Sequence, residues 1–299
     1  MSNHTARARL GLILSMSIFG TIGIFRRYLP LPSGVIAFAR GVIGTLFLLL
    51  LVAVMRKGIS WTAIRHNLWK LLVSGALIGL NWILLFEAYR YTTVATATLC
   101  YYMAPIFVII ASPIVLRERL TAKQIGCVAV ALVGMVAVSG VLEDGTGDFR
   151  GVLFGLGAAI LYAGVVVINK TMGEIAAYDK TIMQLGAASI TILPYILLVE
   201  TVAWTAFTPL VCLVLLVVGV LHTGVAYALY FGSMGALRAQ SVALLSYLDP
   251  VLAIVLSALV LQEWPSPVAW IGAVLVLGAA MVSELPTGIF SKKHGRDRI

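Results

Sequence analysis

Long apolar stretches alternate with short polar breaks along the whole chain. A helix that crosses a membrane needs about 20 predominantly apolar residues. On that criterion the sequence predicts helices near 9–27, 33–55, 69–89, 94–116, 122–141, 151–170, 181–200, 209–231, 240–261 and 267–284. The most polar break, Glu143-Asp144-Gly145-Thr146-Gly147-Asp148, falls after the fifth stretch and divides the chain into 1–143 and 144–299. The expected fold is an all-α integral membrane protein with ten transmembrane helices, five in each part. The first 28 residues start basic and turn apolar, without an obvious small-x-small cleavage site, so they read as a retained first helix.

The two parts carry the same punctuation. Tyr102-Met103-Ala104-Pro105 is followed thirteen residues on by Glu118. Tyr247-Leu248-Asp249-Pro250, 145 residues later, is followed at the same distance by Glu263. Each copy places a proline inside a hydrophobic stretch and a carboxylate at its end. Five is an odd number of crossings, so a second copy enters the membrane upside down relative to the first. The loops agree: the break after the fourth stretch carries Arg117, Arg119 and Lys123, whereas its counterpart, Gln262-Glu263-Trp264-Pro265-Ser266-Pro267, carries no basic residue. Inverted repeats with broken helices in matching positions point to alternating access around a site near the midplane.

Basic residues also set the orientation. With the N-terminus inside, the inner segments hold Arg7, Arg9, Arg56, Lys57, Arg65, Lys70, Arg117, Arg119, Lys123, Lys170, Lys180, Arg238, Lys292, Lys293, Arg296 and Arg298. The outer segments hold only Arg26, Arg27, Arg90 and Arg150. The bias predicts a multi-pass protein of the cytoplasmic membrane with both termini in the cytoplasm.

Composition agrees with a membrane protein and narrows the function. The chain of 299 residues is 61% hydrophobic and 11% charged, with a mean hydropathy of +1.03. Soluble domains average about 45–50% apolar and about 25% charged. The net charge of +9 is explained by the inner loops, so no nucleic-acid partner is expected. Cys100, Cys127 and Cys212 lie in apolar runs, and no Cys/His cluster suggests a metal. No GxSxG, HExxH or Walker A motif occurs. Neither a cofactor nor a catalytic site is expected, and ATP-driven transport has no domain to run it.

These features resemble the drug/metabolite transporter superfamily, in particular the ten-helix EamA-type exporters. The resemblance rests on the two five-helix repeats, on Pro105 and Pro250, on Glu118 and Glu263, on Leu116-Arg117-Glu118-Arg119-Leu120-Thr121 with Gln124 and Gly126, and on Ala39-Arg40-Gly41. It covers essentially the whole chain. The second copy departs from it at Trp264-Pro265, and Gln184 stands where the first has Arg40. The general run of the sequence and its aromatic residues look closest to bacterial aromatic amino acid exporters. The resemblance implies a secondary transporter that moves small amphipathic metabolites outward, with a small-molecule substrate and membrane lipid as its partners.

Several residues are candidates for contact with that substrate. Proline removes a backbone donor and frees the carbonyl four residues before it, here those of Tyr101 and Ser246. Pro105 and Pro250 are therefore candidate hinges. Tyr101, Tyr102 and Tyr247 lie within one helical turn of them and offer an apolar face with a hydroxyl. Trp82, Phe86, Tyr89, Tyr227 and Tyr230 belong to the third and eighth helices, which correspond across the repeat. Arg40 and Asp249 are the intramembrane charges, and such charges are costly unless paired or functional. Arg40 suits a substrate carboxylate or a brace for the fold. Asp249 suits a substrate ammonium, a coupling proton or a structural bond. Glu118 and Glu263 read as structural groups at helix ends. Asn81, Asn169, Gln184 and His222 are further buried polar groups, and the lone histidine is weighed as hydrogen-bonded structure against a proton relay, with structure favoured. Two other functions are weighed against amino acid export. An exporter of cationic drugs or other metabolites would use Asp249 as its cation partner. An intramembrane enzyme acting on lipid would need a catalytic cluster at one depth, and the sequence offers none.

Overall fold

The structure, a computed structural model, describes residues 3–115, 120–138, 149–234, 237, 245–246 and 248–284. The first apolar stretch forms α1 (Asn3–Gly20) and α2 (Ile22–Arg27), parted at Thr21. The Thr21 hydroxyl donates back to the carbonyl of Ile18 at 2.7 Å, a bond that competes with the helical ladder. After Pro32 comes α3 (Ser33–Val54), then α4 (Trp61–Tyr91). This third helix begins eight residues before the expected start at 69. Its first two turns hold Arg65, His66 and Asn67, so hydropathy misses them. They are helical nonetheless: the Asn67 amide donates to Ala63 at 3.0 Å, and its oxygen accepts from the amide of Gly173 at 2.9 Å.

The fourth stretch is broken at Tyr102 and Met103 into α5 (Val94–Tyr101) and α6 (Ala104–Val115). Thr93 caps α5 by accepting from the Thr96 amide at 3.1 Å. Pro105 sits in the first turn of α6, where a missing N–H costs least. Next come α7 (Ala122–Val138), α8 (Phe149–Lys170) and α9 (Ala177–Val199). The eighth stretch runs as α10 (Pro209–Val217), a π-helical segment (Val218–Val225) and α11 (Ala226–Met234). The last described helices are α12 (Leu248–Leu261), with Pro250 in its first turn, and α13 (Pro267–Glu284).

Seven helical stretches among the described residues are long and apolar enough to cross a membrane. Three shorter apolar helices, Ala122–Val138, Leu248–Leu261 and Pro267–Val282, stand at the places of the expected fifth, ninth and tenth spans. Large apolar side chains face outward along these helices; Leu198 is 85% exposed, Ile114 82% and Trp69 74%. In water this surface would drive association, whereas lipid tails solvate it. The chain is a multi-span membrane protein.

Two large apolar cores and a smaller one around Leu12 and Met16 of α1 hold the described helices together. One joins α3, α4, α9 and α10 around Leu48, Trp82, Phe86, Leu185 and Ile192. The other joins α5 to α8 and α13 around Leu99, Met103, Met135 and Val276. Helix α4 packs on α8 and α9, and α1 packs on α11 and α12. Helix α3 packs on α9 and on the π-helical segment, α5 on α8 and α12, and α7 on α13. Where α7 crosses α13 the backbones nearly touch. A Cβ added to Gly134 would come within 2.9 Å of the Gly272 carbonyl, and one added to Gly272 within 2.6 Å of the Gly134 carbonyl. Small residues permit such close crossing where burial from water no longer drives association.

Candidate functional site

The breaks in α1–α2, α5–α6 and the segment before α12 surround a cavity of about 270 Å³. Six tyrosines line it: Tyr89 from α4, Tyr101 and Tyr102 at the α5–α6 break, Tyr162 from α8, and Tyr227 and Tyr230 from α11. Arg40, Trp82, Ser246, Asp249 and Pro105 line it too. Two candidates stand behind it. Phe86 is fully buried, 5.6 Å beneath the Arg40 guanidinium and edge-on to Tyr89 at 6.3 Å. Pro250 is buried. Tyr247 and Glu118 lie outside the described residues.

The charged groups are held in different ways. Arg40 is only 4% exposed. Its Nε donates to Thr223 Oγ1 at 3.2 Å, and its guanidinium stacks on Trp82 at 4.1 Å from the ring centroid. Cation–π stacking of this kind contributes about 0.5–2 kcal/mol. Among the described residues no carboxylate lies within 4.0 Å of Arg40, and its terminal nitrogens make no hydrogen bond. Asp249 lies in the first turn of α12, where the helix dipole favours a negative charge. Its Oδ2 accepts from the Tyr102 hydroxyl at 2.6 Å. Among the described residues, Oδ1 has no partner. A cation with spare donors and a carboxylate with a spare acceptor thus share one aromatic cavity.

The surrounding polar groups are tied into the fold. Thr223 and His222 both belong to the π-helical segment, and such segments recur at functional sites. His222 is buried, with Nε2 2.8 Å from Thr21 Oγ1, which fastens the break in the first span to this segment. Gln184 donates to Ser74 Oγ at 2.7 Å and to Asn169 Oδ1 at 2.8 Å. Asn81 donates to the Ala158 carbonyl at 2.5 Å. Glu263 accepts from the Val94 amide at 3.1 Å, from Ser257 Oγ at 2.7 Å and from Arg27 at 3.3 Å. Its backbone donor and its basic partner both come from the first half of the chain.

Sequence reasoning did not single out Tyr162, Thr98, Phe19 or Met16, which also line the cavity. Tyr162 meets Tyr101 with ring centroids 5.5 Å apart. It was open to the same rule as Tyr101, a hydroxyl in mid-span, but it has no tyrosine at the matching place in the other half.

The chain was compared with known proteins. A profile of the EamA-like transporter family matches it twice, over residues 7–140 and 149–284. An uncharacterized transporter YxxF of Bacillus subtilis is 27% identical over 285 residues, covering 92% of this chain and 88% of the relative. An uncharacterized inner membrane transporter YhbE of Escherichia coli K12 is 24% identical over 276 residues, covering 87% and 85%. Protein PecM of Dickeya dadantii is 27% identical over 237 residues, covering 76% of each chain. A solved crystal structure, 21% identical, superposes with a TM-score of 0.65 over 93% of this chain and 96% of its own, and shares the fold.

Proposed function

The chain belongs to the EamA-like transporter family, and from that premise we propose that it exports small amphipathic metabolites, with aromatic amino acids as the best substrates. The observation that carries this is the shared cavity: among the described residues Arg40 has donors and Asp249 an oxygen without partners, and six tyrosines with Trp82 supply aromatic walls. A zwitterion with an aromatic side chain satisfies both charges at once. An exporter of cations alone would leave Arg40 uncompensated beside its cargo, which disfavours the cationic-drug alternative.

The helix pairings support a ten-helix protein made of two inverted five-helix repeats, 1–143 and 144–299. Exchanging the halves turns the α4–α8 contact into α1–α11, α4–α9 into α3 with the π-helical segment, and α5–α8 into α1–α12. Buried hydrogen bonds exchange in the same way. Asn81 donates to Ala158 across the third and sixth spans, and Ser15 donates to Ala226 across the first and eighth at 2.8 Å. Arg40 reaches Thr223 from the second span to the eighth, and Gln184 reaches Ser74 from the seventh to the third. Two such halves have two related packings, which is the basis of alternating access. The hinges are Pro105 and Pro250. The protein sits in the cytoplasmic membrane with both termini inside, and a proton on Asp249 offers a route to coupling.

Counterflow in proteoliposomes tests this. Vesicles preloaded with one amino acid should accumulate labelled phenylalanine, tyrosine or tryptophan, and should fail with lysine or with tetraphenylphosphonium. Accumulation of the organic cation alone would favour the drug-export reading.

A further inference from the structure

We propose that Arg26 forms a second station for the solute's carboxylate, in a vestibule that Tyr89 separates from the central cavity. The proposal rests on the carboxylate-bearing substrate inferred above. The vestibule is a space of about 860 Å³ where α2, the loop that leads to α3 and the ends of α4, α9 and α12 meet. Tyr89 is the one described residue that lines both spaces. Its hydroxyl reaches Thr98 Oγ1 at 3.4 Å, a long bond that tethers the ring weakly. A swing of this ring joins the two spaces.

The vestibule wall carries three arginines and three glutamates, and five of the six are already engaged. Arg27 pairs with Glu263 at 3.3 Å. Arg90 pairs with Glu87 at 3.0 and 3.1 Å. Glu200 accepts from the amides of Gly34 and Val35 at 2.8 and 3.1 Å. The sixth is Arg26. Its Nη1 donates to the Leu29 carbonyl at 2.6 Å, its Nε is buried without a partner, and its Nη2 makes no bond among the described residues. No carboxylate among them lies within 4.0 Å. A buried guanidinium nitrogen left unmatched is costly, and a guanidinium fork matches a carboxylate in two parallel bonds. Among the described residues that line these two spaces, Arg26 and Arg40 are the arginines with no acid partner. They stand on either side of Tyr89, so an anionic group released by one meets the other.

The test is chemical modification of the full chain in detergent with phenylglyoxal, read residue by residue by peptide mass mapping. The probe is 3-phenylpropionate, with phenethylamine as the control that lacks a carboxylate. At saturation, 3-phenylpropionate should slow modification of Arg26 several-fold and leave the salt-bridged, exposed Arg27 unchanged. Phenethylamine should protect neither. Protection should persist in Arg40→Gln, because the station stands apart from the central cavity. A protein that fails counterflow yet shows this pattern keeps the station and loses the transport reading. Equal modification of Arg26 with and without 3-phenylpropionate, protection lost in Arg40→Gln, or an Arg26 that never reacts while Arg27 does would each overturn the proposal.

Discussion

The Tyr102 hydroxyl donates to Asp249 Oδ2 at 2.6 Å, between residues 147 positions apart. Each belongs to one copy of the duplicated motif. The same hydroxyl lies 3.4 Å from the carbonyl of Ser246, the acceptor that Pro250 leaves without its helical amide. The tyrosine at the break in one half therefore holds the carboxylate beside Pro250 in the other half, and its single proton goes to Asp249 rather than to the Ser246 carbonyl. This bond fixes the carboxylate at the cavity wall, and among the described residues its second oxygen has no partner.

Asp249→Asn keeps an acceptor for Tyr102, so the variant should fold. It removes the charge proposed to face the substrate ammonium. A hydrogen bond to a charged group contributes about 1.5–3 kcal/mol, so phenylalanine affinity should fall about tenfold or more. Binding of 3-phenylpropionate, which has no ammonium, should hold steady. A variant that keeps phenylalanine affinity but no longer responds to a pH gradient would reassign Asp249 to proton coupling.

Arg40 and Gln184 occupy matching places, but only Arg40 reaches the cavity. Arg40→Gln should weaken 3-phenylpropionate binding about tenfold and spare phenethylamine. Gln184→Ala should leave both ligands unaffected. It removes the bonds that Gln184 donates to Asn169 Oδ1 and Ser74 Oγ, so the purified protein should melt earlier, consistent with about 1 kcal/mol per interhelical bond in a membrane. Altered ligand preference in Gln184→Ala would mean that the halves share the recognition role.

Pro105 and Pro250 each stand in the first turn of a helix, and in α5–α6 that helix follows a break. Alanine at 105 supplies an amide for the Tyr101 carbonyl and lets α5 run on into α6; alanine at 250 does the same toward Ser246. Turnover in counterflow should slow more than Kd changes. Wild-type turnover in both variants would make the breaks passive.

Glu200 follows the end of α9 and accepts the amides of Gly34 and Val35. Burial raises its carboxyl above the ordinary 4.5, and the two amides oppose this in part. A carboxyl raised on folding favours the fold below its unfolded value, and that contribution is lost as pH rises through the folded value. Glu200→Gln removes the titration while keeping an acceptor. Melting curves from about pH 4 to 7 should show the wild type losing ground to the variant as pH rises. A constant difference across that range would contradict the assignment.

Much of this was legible before the structure, for particular reasons. The repeated tyrosine and proline marked the break at Tyr102 because a missing amide is written in the sequence. Arg40 and Asp249 stood out because charge in an apolar stretch is costly. The polar first turns of α4 escaped a hydropathy criterion, since a helix outside the hydrocarbon needs no apolar run. The π-helical segment Val218–Val225 has no local signal of its own. Phe86 shares a face with Trp82 at i,i+4, yet the edge of the cavity falls between them. The vestibule was hidden because its wall is assembled from four separate stretches of the chain, and the freedom of Arg26 appears only when its neighbours' pairings are known.

The central claim is that one cavity reads both charges of an aromatic zwitterion. The most direct measurement is calorimetric titration of the purified full chain with L-phenylalanine, 3-phenylpropionate and phenethylamine. Phenylalanine should bind about tenfold tighter than either single-charge analogue. Phenethylamine binding as tightly as phenylalanine, or no binding of phenylalanine at all, would contradict it.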